Sequence, residues 1–246
     1  MTVITGWENS TGQTSLLAES VHVWAWGHED LVTSTEPDIS CLDPDEIRRF
    51  RRFRFGPDQL RFATCHGNMR RILAGYLGQS PAALVFAVGA GGKPALVDSP
   101  APRLQFNLSH SKNFGLLAVA PALEVGVDVE EPRKIEPSLA ERYLSAVELQ
   151  MLSELEDGEW LPGFLRCWTR KEAILKAEGV GLRLPLDAFD VSLKAGTRPA
   201  LLGARPPAAF RFPWQLFDVS PSENAIASLA VSGPPASINL FYYRTA

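Results

Sequence analysis

The sequence predicts an α+β protein, with helices packed on mainly antiparallel strands. Val21-His22-Val23-Trp24-Ala25-Trp26 and Val125-Gly126-Val127-Asp128-Val129-Glu130 alternate with the period of a strand. Asp43-Pro44-Asp45-Glu46 and Ser145-Ala146-Val147-Glu148 open helices, each with a side-chain acceptor followed three residues on by a glutamate. Residues 164–179 repeat their apolar positions with the period of a helix. At 246 residues and 46% hydrophobic, the chain can fill one large domain or two small ones.

Composition removes several function classes. Cys41, Cys65 and Cys167 have no paired spacing, which argues against a disulfide framework or a CxxC zinc site, so buried or neutral thiols are expected. No basic-then-apolar leader follows Met1, and Pro121 and Glu124 interrupt the longest apolar stretch, residues 116–127. The expectation is a cytoplasmic protein with no membrane contact. The net charge of −4 conceals a segregation: Arg48, Arg49, Arg51, Arg52 and Arg54 crowd into seven residues, while acids dominate 128–131 and 154–159.

In chain order, residues up to about Glu19 lack periodicity and read as a loose terminus, and the strand at 21–26 carries His22 on its outward face. The helix opened by Asp43 carries the arginine cluster. A second opens at Pro57, runs through Arg61, Arg70 and Arg71, and stops at Gly78. Arginines interleaved with Phe50, Phe53 and Phe55 fit a nucleic-acid surface, or equally an amphipathic helix with buried rings and solvated guanidiniums. The acidic balance of the whole chain weighs against a polyanion, so no nucleic acid is expected as partner; a small phosphate-rich ligand needs only local positive charge. Val85-Phe86-Ala87-Val88 reads as a short buried strand. Gly89-Ala90-Gly91-Gly92-Lys93-Pro94 is a tight turn that lacks the spacing of a P-loop. Gln105-Phe106-Asn107-Leu108-Ser109-His110-Ser111 alternates and ends in small polar groups, with residues 115–120 as its hairpin partner. His110, at the strand end, is either structural or a donor to phosphate.

The strand at 125–130 turns three valines one way and Asp128 and Glu130 the other, about 6.6 Å apart along the chain. That is either a solvated outer face or a pair of hard oxygen ligands suited to Mg²⁺. In the helix of residues 164–179, Phe164, Cys167, Trp168, Ile174 and Leu175 fill an apolar arc from whose middle Lys171 and Glu178 project. Charges in such a place must be paired, hydrated in a cleft or bound. Glu172 and Lys176 on the shoulder are an i,i+4 pair, or else a third carboxylate and a cation for the acidic strand. Past Gly179 and Gly181, residues 189–193, 210–219, 225–231 and 238–243 alternate as strands of a mostly antiparallel sheet, with 203–213 as a proline-rich surface connection.

Gly92-Lys93-Pro94, Phe106-Asn107-Leu108-Ser109-His110-Ser111, Gly126-Val127-Asp128-Val129-Glu130, and Trp168-Thr169-Arg170-Lys171-Glu172-Ala173 with Lys176 and Gly179-Val180-Gly181-Leu182 follow one another in a specific order. In that order and spacing the chain, over about residues 43–193, resembles the Sfp-type 4′-phosphopantetheinyl transferases. The resemblance implies a monomer of two similar α/β halves related by a pseudo-two-fold axis, here residues 1–122 and 123–246. It implies coenzyme A bound between them, and transfer of its 4′-phosphopantetheine arm to a serine of an apo acyl or peptidyl carrier protein, with Mg²⁺ required and 3′,5′-ADP released. By position, Asp128, Glu130 and Glu172 correspond to the Mg²⁺ ligands, and Lys93, Ser109 and His110 to contacts with the phosphates of coenzyme A. Lys176 corresponds to the residue that reaches the pyrophosphate and assists the leaving group, with Lys171 beside it in the coenzyme-binding group. Glu172 is also the candidate general base. Arg49, or else Arg54 or Arg61, corresponds to the grip on the 3′-phosphate. Val180 stands where some members carry a lysine. Two other readings stay open at this point, an arginine-rich nucleotide- or nucleic-acid-binding module and a metal-dependent pyrophosphate hydrolase.

Overall fold

Two sheets face each other across a shared apolar layer, each backed on its outer side by a long helix. The computed structural model describes residues 2–11, 15–27, 37–89, 91–97 and 103–244; Ala90 of the glycine-rich turn and residues 12–14 of the N-terminal stretch lie outside the described residues. The larger sheet holds β1 (Val3–Ser10), β2 (Ser20–Gly27), β5 (Leu104–His110), β6 (Phe114–Pro121) and β12 (Ser237–Tyr243) in the order β1-β12-β2-β6-β5. The smaller holds β7 (Val125–Glu130), β10 (Gln215–Asp218) and β11 (Ile226–Val231) in the order β10-β11-β7. Two ribbons stand apart: β3 (Phe86–Val88) with β4 (Pro94–Leu96), and β8 (Phe189–Val191) with β9 (Leu201–Ala204).

The layers follow from strand alternation. Val21, Val23 and Ala25 of β2, Leu116 and Ala118 of β6, Val125, Val127 and Val129 of β7, and Leu229 of β11 meet in one cluster between the sheets. Each buried valine or leucine contributes about 1.5–3 kcal/mol to holding the two sheets together. The opposite face of β2, with Trp24 and Trp26, packs under α2 (Gly56–Leu77) through Met69, Ile72 and Leu73. On the far side, α5 (Trp160–Glu178) covers β7 and β11, with α3 (Pro137–Tyr143) and α4 (Ala146–Ser153) around it. Both capping boxes form: Asp43 accepts from the amides of Asp45 and Glu46 at the start of α1 (Pro44–Phe50), and Ser145 accepts from Glu148 at the start of α4. No helix among the described residues is long and apolar enough to cross a membrane.

The α+β class is observed, and five local expectations are corrected. Residues 3–10 form no loose terminus but strand β1, paired in parallel with β12. The closing strand β12 does not extend an antiparallel sheet of the second half; it enters the larger sheet parallel to both β1 and β2. His22 faces inward, under α2, where its Nδ1 lies 2.7 Å from the Tyr76 hydroxyl. Because Trp24 Nε1 donates to that same oxygen at 2.8 Å, the phenol proton is free to go to the imidazole. Burial brings the His22 pKa down to about 4, which keeps the ring neutral. The ribbon strand β3 is largely exposed rather than buried. Of the arginine cluster only Arg48 and Arg49 lie on α1; Arg51 caps it, and Arg52 and Arg54 follow in the connection to α2.

The approach of α5 to β7 depends on Gly126. A Cβ there would fall 2.1 Å from the Ala173 carbonyl oxygen and 2.5 Å from the Ala177 nitrogen, both helix backbone that has no room to move. Gly126→Ala is therefore expected to lower the free energy of unfolding by about 1–3 kcal/mol or more, read as a lower urea midpoint at an unchanged slope.

Candidate active site

The seam between the two sheets is made by side chains. Strands β5 and β7 are edge strands, and an edge presents amides with no ladder to enter. Asn107 Oδ1 takes the Val127 amide at 2.8 Å, Ser109 Oγ donates to Asp128 Oδ1 at 2.9 Å, and Glu131 accepts from both the amide and the side chain of Asn113 at 2.7 and 2.6 Å. One hairpin is thus fastened along the length of β7. On the other face of β7 lies α5, whose Lys176 Nζ reaches Asp128 Oδ1 at 2.6 Å and Ser109 Oγ at 2.9 Å. The i,i+4 contact of Lys176 with Glu172 does not form; the ammonium is drawn to the buried aspartate instead.

Beside this knot opens a cleft of about 270 Å³, walled by the Gly91-Gly92-Lys93-Pro94 turn, by Asn107 and Leu108 of β5, and by Glu172, Leu175 and Lys176 of α5. Gly91 sits so close to the end of α5 that a Cβ would fall 1.5 Å from the Gly179 carbonyl oxygen. Glycine at 91 is what lets the two walls touch, while Gly179 ends α5 in the left-handed region at φ 68°.

Asp128 is 5% exposed, and its Oδ2 is buried with no hydrogen-bond partner. Glu172 is held above the usual carboxylate range by burial first and then by the Asp128 charge, with Lys176 opposing. Glu130 is raised by burial, then by Asp128, with Arg133 and Lys176 opposing and Glu172 adding to the rise. The three acids therefore share one electrostatic environment. Among the described residues no group of three or more His, Cys, Asp and Glu side chains is drawn together closely enough to hold a metal ion by itself. The orphaned Asp128 oxygen and the mutual repulsion nevertheless fit Mg²⁺, which takes one or two carboxylates and completes its shell with water and phosphate oxygens.

The remaining sequence candidates divide. His110 is exposed at the end of β5, its pKa lowered by the surrounding protein and then by Arg61 and Lys176. Two candidates are already engaged with protein groups. Lys171 is fully buried, with its ammonium 2.8 Å from Glu148 Oε1, 2.6 Å from the Leu186 carbonyl and bonded to the Phe189 carbonyl, so it cannot reach a ligand in the cleft. Lys93 lines the cleft, but its three protons are used by Glu124 at 2.8 Å and the carbonyls of Val125 and Ala177 at 3.1 and 3.0 Å. It fastens the glycine-rich turn to β7 and α5. Arg49 lies over the Phe62 ring at 5.3 Å and Arg54 is exposed; neither lines the cleft. Arg61 donates to the Lys112 carbonyl at 3.3 Å, in the hairpin that carries His110. Val180 packs against the apolar cluster around α5. Sequence reasoning missed Asn107 as a fastener, although it lies inside the informative run 105–111.

A cleft lined by Lys176 and Glu172, with Asp128 bonded to that ammonium, suits a ligand that carries phosphate and a divalent cation. The chain belongs to the 4′-phosphopantetheinyl transferase family. The sequence pattern of the 4′-phosphopantetheinyl transferase superfamily matches residues 124–230, and the N-terminal pattern of 4′-phosphopantetheinyl transferase matches residues 31–122. The 4′-phosphopantetheinyl transferase HetI of a Nostoc species is 35% identical over 222 residues, covering 89% of this chain and 90% of its own. Sfp of Bacillus subtilis is 30% identical over 155 residues, covering 63% of this chain and 68% of its own. The human L-aminoadipate-semialdehyde dehydrogenase-phosphopantetheinyl transferase is 29% identical over 167 residues, covering 63% of this chain and 54% of its own. The protein is thus an enzyme, a transferase whose family acts on coenzyme A and carrier proteins.

Two outcomes follow. Lys171→Met leaves the Glu148 carboxylate buried and without its cation, so a loss of about 3–5 kcal/mol is expected by chemical denaturation. Glu172 has a raised folded-state pKa, so its contribution favours the fold below the ordinary carboxylate pKa and is lost as pH rises through the raised value. In metal-free buffer at pH 7, Glu172→Gln should therefore raise the thermal midpoint, and the gain should vanish at pH below the carboxylate range.

Proposed function

We propose that the cleft binds coenzyme A with Mg²⁺ and transfers the 4′-phosphopantetheine arm to a serine hydroxyl of an apo acyl or peptidyl carrier protein, releasing 3′,5′-ADP. The observation that carries this reading is the knot at Asp128, where one buried oxygen has no partner and the other is shared by Ser109 and Lys176. In the reaction the serine oxygen bonds to the β-phosphorus, the bond from that phosphorus to the bridging oxygen breaks, and the serine proton must be removed.

Asp128, Glu130 and Glu172 would hold the Mg²⁺, whose charge, when bound, neutralises the pyrophosphate oxygens. Lys176, one helical turn from Glu172, would donate to the bridging oxygen as it departs with 3′,5′-ADP. Its ammonium is kept at the cleft by Ser109 and Asp128 rather than free to sample solvent. Glu172 lines the cleft, and its raised pKa makes it a better proton acceptor than an ordinary carboxylate, which supports it as general base, directly or through water. His110 is exposed beside this site as a donor to phosphate, with Arg61 close to it; Arg49, or else Arg54 or Arg61, would supply the grip on the 3′-phosphate. In this scheme residues 1–122 provide the nucleotide contacts and 123–246 the metal strand and catalytic helix. One chain furnishes both walls, which supports a monomer as the working unit.

Purified protein with coenzyme A, Mg²⁺ and an apo carrier protein is expected to add one phosphopantetheine to the carrier's intact mass. Release of 3′,5′-ADP with no carrier present would point to a hydrolase instead. Glu172→Gln should abolish transfer with the fold intact, and Lys176→Ala should lower kcat by about 10²-fold; turnover unchanged in either variant would remove that residue from the scheme.

A further inference from the structure

We propose that Glu131 is a positioning residue, which through Asn113 holds His110 at the distance from Asp128 and Glu130 that a phosphate-bearing ligand of the cleft requires; this rests on the transfer reading above for its ligand, coenzyme A. His110 ends β5, and the sheet fixes it from one side alone. Its ladder partner is Gly115 of β6, while the side towards β7 is a sheet edge. Along that edge Asn107 reaches Val127 and Ser109 reaches Asp128, both before His110.

Past His110 the chain turns through residues 111–113, closed by the Ser111 amide on the Phe114 carbonyl at 2.8 Å. Glu131 ties this turn to the end of β7. Its Oε2 accepts the Asn113 amide at 2.7 Å and its Oε1 accepts the Asn113 side chain at 2.6 Å. Two bonds to one residue fix a direction as well as a distance. From the other side Arg61 of α2 donates through Nε to the Lys112 carbonyl at 3.3 Å, with its Nη1 on Asp58 at 2.9 Å. The turn is thus gripped between α2 and the residue that follows Glu130.

A carboxylate is a costly fastener at this place, because negative charge near a phosphate site repels the ligand. Among the described residues no ammonium or guanidinium pairs with Glu131. The cations that follow it in the chain go elsewhere, Arg133 to Glu130 at 3.9 Å and Lys134 to Glu136 at 3.1 Å. What accounts for Glu131 is therefore the turn it holds. His110 lies within the field of Arg61, Lys176, His66 and Asp128, so any shift of the turn alters its distance to groups that would share a phosphate with it. A misplacement of about 1 Å can cost about 10²-fold.

The sign of the effect separates a clamp from a charge. Were Glu131 to act through its charge alone, Glu131→Ala and Glu131→Gln would both tighten the binding of coenzyme A. As a clamp, Glu131→Ala should raise the Kd for coenzyme A, measured by calorimetry with Mg²⁺, about tenfold. Glu131→Gln keeps both contacts once the Asn113 amide flips, and should bind within about twofold of wild type. In the His110→Ala background, where no ring is left to position, Glu131→Ala should change the Kd by less than about twofold. Tighter or unchanged binding in Glu131→Ala overturns the proposal, as does an equal loss with and without His110, the mark of a general loosening. An unchanged Kd on His110→Ala alone overturns it too. Because the Kd needs no turnover, this full pattern in a protein that modifies no apo carrier of a panel would refute the transfer reading and leave the positioning role standing.

Discussion

Asp128 sets the terms for everything around the cleft. It is a buried carboxylate with one oxygen held twice over and the other not at all. Removing such a group from water is costly unless donors surround it, and here they surround only half of it. Glu130 and Glu172 are both driven towards protonation, by burial first and then by the nearby Asp128 charge. A site like this weakens the fold locally. The layer of valines beneath β7 and the packing of α5 above it are large enough to hold the strand in place regardless.

The carboxylates reach their places through two close fits. On one side, side chains of β5 and its hairpin replace a backbone ladder, so β7 stays an edge strand whose polar face remains open. On the other, Gly126 lets the backbone of α5 come down onto β7 at Ala173 and Ala177. Those two residues flank Lys176 in sequence, and Glu172 lies one turn earlier, about 6 Å along the axis. The register that brings Ala177 against Gly126 is therefore the register that brings Lys176 to Asp128. Lys171 fixes the same register from the opposite face of the helix through its buried pair with Glu148 on α4. Adjacent residues on α5 thus divide the work: one charge anchors the helix and the next faces the cleft.

Much of this was legible in the sequence where the determining interactions are local. The capping boxes at Asp43 and Ser145, the stop at Gly78, and the two-faced strand 125–130 depend on residues within a few positions of one another, and all formed. The strand β1 was illegible because Thr5 and Gly6 interrupt its apolar pattern and its partner lies at the far end of the chain. His22 looked outward because alternation specifies which residues share a face but not whether a helix covers that face. Lys171 illustrates the same limit. A charge on an apolar arc must have a partner, but the pattern does not distinguish a ligand in a cleft from Glu148 on a neighbouring helix. Lys93 sits at the expected place on the cleft wall, yet its protons are taken by Glu124 and by carbonyls whose directions no one-dimensional pattern encodes.

The last strand explains why a cleft between two sheets need not be a soft joint. β12 enters the larger sheet between β1 and β2, so the chain that has just built β10 and β11 returns to complete the sheet facing them. Sliding the smaller sheet past the larger would pull on that crossing as well as on Asn107, Ser109 and the Glu131 clamp. The two cleft walls are thereby held at fixed separation, with Gly91 already in contact with Gly179. Electrostatic stabilisation of a reacting phosphate is effective only when the charges need not rearrange as the reaction proceeds. A seam fastened by side chains and crossed by a strand from the far end of the chain meets that requirement, and it does so without a preformed metal cage.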